Sequence, residues 1–516
     1  MAALLLLLPL WMLGTSAYEC PPSNPQCDNV APNLHKPPEP PVQPPVFGPN
    51  VNGINISDPG LPAVQAKFVQ AGFLDATKAP FNADNTGASD ATQALQAALD
   101  FGRAHYLTTF LPGGIYLVSK TLKMIQAEKK FLSTVGDPNC NNMVEVFGQK
   151  PTIKKHCGRT QPYVFQGTVS GTERAKLLVQ KDFDFHGYVV QITNPINDNI
   201  NMNQVMSSID IVIEAGNSNA MGVYARGAQG VSVQDVTIFA GDAAVGLDGG
   251  AGSGGSHTNV TVIGGVVGMR LSQAQPSPTL SAIRLINQTG IALLYGHPGR
   301  QTLSVVGVSI TALPEASGPA ISSSNPLSII DGRLDCPGSK QCTHAINSSG
   351  AGSNIYLKNV YFRGFSLALS IGEKSSHPIP VQNASQWTHV TELAAGQNVV
   401  GSSYAHKSTI FLNGIEQEQN ETQSLLVEGV DGQTPSASLI EQHQFPANFP
   451  SWQTPGACNA KTDYGANGDL ITDDTKALQA MLDDPRCDVA FLPKVRVIYF
   501  IFIFMLMCLM TAALNL

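Results

Sequence analysis

Charge is what this sequence most lacks. Of its 516 residues only 13% are charged, about half of the roughly 25% usual in soluble domains. The balance is acidic, with 30 Lys+Arg against 38 Asp+Glu and a net charge of -8. That excludes a nucleic-acid partner, which needs a basic footprint to displace counterions from phosphates. Metal spacing is missing as well. There is no CxxC or Cys/His pattern and the eleven His are scattered, so no cofactor is expected. The AGSGGS run lacks the Lys and the helix signal of a phosphate loop, and no Ser-His-Asp pattern has support. What is abundant is Gly, 48 residues, and Pro, 35, within a chain that is 43% hydrophobic. Such a chain is too apolar to be disordered. Its length suits about three average domains, or one elongated solenoid with a continuous core.

The two ends depart from the rest. Ala2 to Leu13 is an uninterrupted apolar stretch, followed by the small residues Thr15 and Ala17. It is too short to span a bilayer, so it reads as a secretory signal cleaved after Ala17. Six N-x-Ser/Thr sequons, at Asn55, Asn259, Asn287, Asn347, Asn383 and Asn420, agree with export. In an oxidising compartment Cys20 and Cys27, Cys140 and Cys157, Cys336 and Cys342, and Cys458 and Cys487 are candidate disulfide neighbours. Val497 to Leu514 is uncharged and apolar and has the length of a transmembrane helix. Lys494 and Arg496 flank it on the side that a cleaved signal leaves outside, against the positive-inside rule. Val495-Arg496 can be encoded by codons containing a splice-donor consensus. Residues 495–516 are therefore expected to be translated intron, with a membrane anchor as the alternative. Without Cys508 in this tail, the cysteine count becomes eight, which is even.

Residues 18–49 are Pro-rich and favour an extended arm. An internal repeat follows. FNADNTGASDATQALQAALD, from Phe81, aligns without gaps with YGANGDLITDDTKALQAMLD, from Tyr464, and FLPGGIYLVS and FLPK then follow. Ser89 and Asp90, or Thr472 and Asp473, can cap the following helix by accepting its free N–H groups. Ala94, Leu95, Ala98 and Leu99 form an apolar stripe at helical spacing. A short amphipathic helix followed by a strand closes the exposed first coil of a solenoid. Between the copies, β-rich runs start at Val231, Asn259, Ala282, Leu303, Leu327 and Ile355, spaced 28, 23, 21, 24 and 28 residues apart. A period in the twenties made of strands alone predicts a parallel β-helix. The leucine-rich template is missing. The expected organisation is a signal peptide over 1–17, a Pro-rich arm over 18–74 and a parallel β-helix over 75–450. The start of a second β-helix over 451–494 and the apolar tail over 495–516 complete it.

The repeated (Y/F)GAxGDxxTDDTxALQxAL opening with FLPxGxY resembles the pectate-lyase-like domain of rhamnogalacturonase and epimerase-type β-helix proteins. Two copies, with NMNQVMSSIDIVIEAGNSNAMGVYARGAQGVSVQDVTI, LDGGAGSGG and NVTVIGGVVGMRL between them, resemble glycoside hydrolase family 55, the β-1,3-glucanases with two β-helices side by side. The resemblance covers residues 75 to 494 or so. It implies an all-β, right-handed, single-stranded parallel β-helix with a short N-terminal capping helix, followed by the start of a second helix. It also implies inverting hydrolysis of β-1,3-glucan by a secreted monomer. Two departures stand out. Ala225, followed by Arg226, occupies a position where the family suggests an aromatic. The family's general-acid Glu lies in the second helix, beyond Lys494, so the catalytic residues are unassigned and the truncated chain is expected to be inactive.

An inverting glycosidase needs a protonated acid and a second group that activates water, roughly 6.5–9.5 Å apart. Candidate substrate-binding residues in the family-like block are Gln204, Gln229, Asp248 and Ser253. The alternative makes Gln204 and Gln229 surface or ladder residues, Asp248 a turn residue and Ser253 part of a Gly-rich loop. Glu214 and Asp242 are further carboxylates in turns. A non-catalytic carbohydrate-binding or structural β-helix is the second functional reading. A polysaccharide lyase or epimerase is the third, although the polygalacturonase Asp-Asp and Gly-His-Gly signatures are missing from the coils and no dense acidic set for calcium is visible.

Overall fold

The computed structural model describes residues 50–51, 54–55, 61–124 except 71 and 106, 163–168, 173–193, 202–271 except 253–254, 278–296, 301–349, 354–371, 379–381, 384–412 except 401–402, 415–417, 434–444, 456–492 and 496–498. The chain divides into two compact units, residues 1–59 and 60–516. In the first, Asn50–Val51 pairs antiparallel with Ile54–Asn55. The second holds the solenoid.

Each coil contributes a short strand to one sheet and a long strand to another. Ala220–Tyr224, Val245–Asp248, Val267–Leu271, Ile291–Tyr295, Ile321–Ser323, Cys342–Ser348 and Phe365–Ile371 stack in parallel in a ten-stranded sheet. Ser232–Gly241, Ser256–Gly264, Thr279–Ile286, Leu303–Thr311, Leu327–Asp335 and Ile355–Arg363 stack likewise in a larger one. The fold is an all-β parallel β-helix, as the strand period predicts. In-register stacking lines up like residues: Val223, Leu247, Met269, Leu293, Ile321, Ile346 and Leu369 form one buried aliphatic ladder. Burying each such side chain stabilises the fold by about 1.5–3 kcal/mol.

The long strands bend at one left-handed residue per coil: Ser208, Asp235, Asn259, Ala282, Gly307, Asp331 and Asn359, with φ between 51° and 74°. Gly adopts this conformation freely and Asn and Asp tolerate it through local hydrogen bonds of their short side chains, whereas for other residues it costs roughly 1–2 kcal/mol. The residues at the centre of this row are small, and there residues 434–444 cross the bend. Leu439 and Ile440 pack with Ala282, Tyr361 and Trp387. Ser281 Oγ donates to the His443 carbonyl at 2.8 Å, Glu441 pairs with Arg284 at 2.8 Å, and His443 Nε2 lies 2.6 Å from Asp331 Oδ2. Gly307 lies directly beneath: a Cβ there would sit 2.7 Å from His443 Cδ2.

The capping helix Thr92–His105 buries Leu95, Ala98 and Leu99. Asp90 Oδ1 accepts the Thr92 N–H at 2.9 Å, and in the second copy Asp473 does the same for Thr475 at 3.0 Å. Ser89 and Thr472 do not cap. Their hydroxyls donate to Asp84 and Asp469, carboxylates within reach on the approach to the helix. The second copy repeats the pairing of the first. Ala457–Asn459 pairs with Val489–Phe491 as Phe73–Asp75 does with Thr108–Leu111. Asp469↔Arg496 and Asp473↔Ile498 match Thr86↔Ile115 and Asp90↔Leu117. Arg496–Ile498 thus holds in the second copy the pairing position that Ile115–Leu117 holds in the first; residues 493–495 and 499–516 lie outside the described residues. No helix among the described residues is long and apolar enough to cross a membrane. Cys336–Cys342 and Cys458–Cys487 are disulfides, while Cys20, Cys27, Cys140 and Cys157 lie outside the described residues.

Gly307→Val is expected to unseat the 434–444 segment, because backbone strain and the His443 clash act at one point. A loss of about 1–3 kcal/mol is expected, read as a lower melting temperature with new proteolytic cleavage near Leu439. An unchanged melt and cleavage pattern would contradict the docking.

Candidate functional site

The ten-stranded sheet places one side chain per coil in a second row: Gln191, Tyr224, Asp248, Arg270, Leu294, Ser322, Asn347 and Ser370. These residues immediately follow members of the aliphatic ladder and stand on the opposite face. The chemistry concentrates at one end. Tyr188 lies against Tyr224, with ring centroids 4.8 Å apart and planes tilted by 53°. Its hydroxyl donates to Asp248 Oδ2 at 2.6 Å, and Arg270 Nη2 donates to the same oxygen at 2.5 Å. Asp248 is only 4% exposed, and its Oδ1 has no hydrogen-bond partner among the described residues. Leaving such an acceptor buried and unsatisfied costs about 1–3 kcal/mol, and more for a charged group. Burial, and next the bond to Asp248, push the Tyr188 hydroxyl well above the usual tyrosine range, so it remains a donor. The bond to Asp248 holds Arg270 firmly protonated.

The Gly-rich LDGGAGSGG run continues from this row. Gly249 donates to the Arg270 carbonyl at 2.8 Å and Gly252 to the Ala228 carbonyl at 3.2 Å. Gly249 has φ +96°, and a Cβ on it would lie 2.4 Å from Arg226 Cβ. The glycine is needed because the chain lies flat on the preceding coil. His257 fixes the loop from inside. Its Nδ1 accepts the Val233 N–H at 3.2 Å, so Nε2 carries the proton and donates to the Gly249 carbonyl at 3.1 Å. Complete burial lowers its pKa to about 4.

The sequence-expected residues separate. Asp248 is at the centre of the group. Gln204 is fully buried and its amide donates to the carbonyls of Ile192, at 3.0 Å, and Met124, at 3.4 Å. It knits two turns together inside the fold and is not on this face. Gln229 is exposed on the connection that follows Tyr224, and Ser253 lies outside the described residues. Glu214 and Asp242 accept the N–H groups of Lys181 and Gly216 and lock turns. Ala225 is buried in the core, and the aromatic of this coil is Tyr224, one residue earlier. Sequence reasoning missed Tyr188, Tyr224 and Arg270. The available signal was spacing, since Tyr224, Asp248 and Arg270 recur at the coil period. Among the sequons, Asn287 is exposed and Asn347 half-buried in the row. Asn259 is half-buried, with its amide bonded to Asp235 at 3.0 Å. Asn55 lies in the short hairpin, and Asn383 and Asn420 are outside the described residues. Among the described residues no group of three or more His, Cys, Asp or Glu is placed to hold a metal.

Residues 79–311 match the family described as "Rhamnogalacturonase A/epimerase, pectate lyase-like". No curated protein matches the chain. Among solved structures it is similar to the enzymatically active domain of bacteriophage CBA120 tailspike protein 2, at 13% identity and a TM-score of 0.36. That similarity covers 56% of this chain and 40% of the tailspike domain. It is also similar to PfbA, a surface adhesin of Streptococcus pneumoniae, at 9% identity over 66% of this chain and 99% of that one, TM-score 0.30. The Dettilon tailspike protein is similar at 10% identity over 67% and 82%, TM-score 0.18.

The buried His257 makes a pH prediction. Unfolded, it titrates near 6.5; folded, near 4. Between these values the unfolded state takes up a proton that the native state refuses. Stability is therefore full above pH 6.5, falls as pH drops, and has lost about 3 kcal/mol from this residue by pH 4. Urea unfolding across that window, compared between the wild type and His257→Asn, checks it: the variant should be weaker but lack this part of the slope.

Proposed function

Residues 79–311 form a pectate-lyase-like β-helix domain, and from that premise we propose that the chain engages an extracellular polysaccharide on the outward face of its ten-stranded sheet. The observation that supports this reading is the cluster of Tyr188, Tyr224, Asp248 and Arg270. Tyr188, half-buried and backed by the buried Tyr224, offers an aromatic edge, and the half-buried Arg270 offers donors that the buried Asp248 holds in place, a combination suited to sugars. The β-1,3-glucan specificity rests on the resemblance of the repeated opening to two-helix glucanases. In that reading the polymer lies along a row that rises by one coil, about 4.8 Å, per residue.

Hydrolysis asks for more than this face offers. Inverting chemistry needs two carboxyl groups with room for water between them, and the row contains one, Asp248, already engaged by Arg270 and Tyr188. The other described carboxylates on the long strands are engaged too: Asp210 and Asp235 with Arg174, Asp335 with Arg363, and Asp331 with His443. On this reading the face binds glucan without cleaving it. A lyase or epimerase is less well supported, because its chemistry wants an unengaged base and Arg270 is committed.

Purified full-length chain is expected to be retained by laminarin in affinity electrophoresis and to release no glucose from it. Tyr188→Ala, which removes the half-buried ring of the cluster, should weaken retention roughly 3–10-fold, the worth of one aromatic contact. Glucose release that depends on Asp248 would establish a hydrolase, and an unsaturated product from a uronic-acid polymer would establish a lyase.

A further inference from the structure

We infer that the Asp248–Arg270 pair is a charge filter that makes this face select neutral, hydroxyl-donating sugars over uronates. The inference rests on the reading that the face binds polysaccharide, and it identifies the class of sugar and the residues that choose it. Three observations carry it. Asp248 and Arg270 are register partners on successive coils, so the backbone itself holds the two groups side by side. The Arg270 Nη2 and Tyr188 Oη donors both end on one oxygen, Asp248 Oδ2. Oδ1 of the same carboxylate, in a side chain more than nine-tenths buried, keeps its acceptor capacity unfilled among the described residues.

The consequences for a ligand are opposite for the two sugar classes. A neutral hexose brings uncharged hydroxyls to the half-buried Tyr188 and Arg270 and meets no like charge there. A uronate brings a carboxylate, which needs a cation with charge to spare. Arg270 is already neutralised by Asp248, and a second carboxylate arriving beside it meets the first as a like charge. The group therefore presents no net charge, although it contains an arginine. Removing the negative partner alone would reverse the preference. Asp248→Asn preserves shape and the Tyr188 contact while freeing the guanidinium, which can pair with a carboxylate in a two-pronged geometry.

The test compares a laminari-oligosaccharide with an oligogalacturonide of matched length, by calorimetry on the full chain. The wild type should bind the neutral ligand with little salt dependence and the acidic one at least about ten-fold more weakly. Asp248→Asn should raise affinity for the oligogalacturonide roughly ten-fold, in a salt-sensitive manner, and lower that for the neutral ligand. A wild type that prefers the oligogalacturonide overturns the filter, and so does an Asn variant that changes both affinities alike. A wild type that binds neither ligand removes the binding reading itself, and the filter with it. If Asp248→Asn does not melt as a folded protein, Arg270→Gln decides. It should weaken the neutral ligand several-fold and still refuse the acidic one, whereas a gain of oligogalacturonide binding would refute the role of Asp248 as the excluding charge.

Discussion

From Ser208 to Asn359 each coil turns at one residue in the left-handed conformation, and that residue stacks on its counterpart in the next coil. The row meets this constraint seven times. Once the bend is placed, the two halves of each long strand are aimed, the short strand of the following coil falls into register, and the aliphatic ladder from Val223 to Leu369 lines up behind it. The same constraint creates the seat for residues 434–444. Most bends carry a side chain that would obstruct a crossing segment. Ala282 and Gly307 do not, while Asn259 and Asp331 on either side reach up to Gln444 and His443. A stretch far away in sequence is thus received by a gap in a row of turn residues.

Stacking also explains how the face acquires its chemistry. Tyr224, Asp248 and Arg270 are separated by more than twenty residues each, yet each occupies the same place in its coil. A one-residue shift in a strand would turn it away from its neighbours. The Gly-rich connection after Asp248 keeps that register while letting the backbone pass close to Arg226, and His257, held neutral by burial, anchors it from below. The candidate face is therefore a product of alignment more than of any local motif.

This accounts for what could be read in the sequence and what could not. The helix cap was legible because Asp90 and Asp473 sit at a fixed short distance from the N–H groups they accept, and the strand period was legible because Val, Ile and Leu recur with it. Asp248 was legible as a polar residue in a family-like block. Gln204 came from the same block, but burial depends on which side of a turn a side chain falls, and its amide is consumed by two carbonyls inside. Arg270 was hidden because its importance lies in the coil before it. The aromatic sought at Ala225 was present one position earlier: Ala225 follows Val223 into the core, and Tyr224 between them takes the opposite face.

The scarcity of charge follows from the same geometry. In a parallel in-register stack, equivalent positions lie about 4.8 Å apart, so a charged residue faces its own position in both neighbouring coils. Like charges at that distance repel strongly when shielded from water. One arrangement that tolerates charge has the neighbouring coil supply the opposite sign at the same position. Asp248 with Arg270 and Asp335 with Arg363 are such register partners. Arg174 satisfies the rule across a wider span, gripping Asp210 with two bonds and Asp235 with a third. A charge paired in this way is a commitment involving at least two coils. That is why the arginine on the candidate face comes with an aspartate attached, and why its chemistry has to be read from the pair rather than from the guanidinium alone.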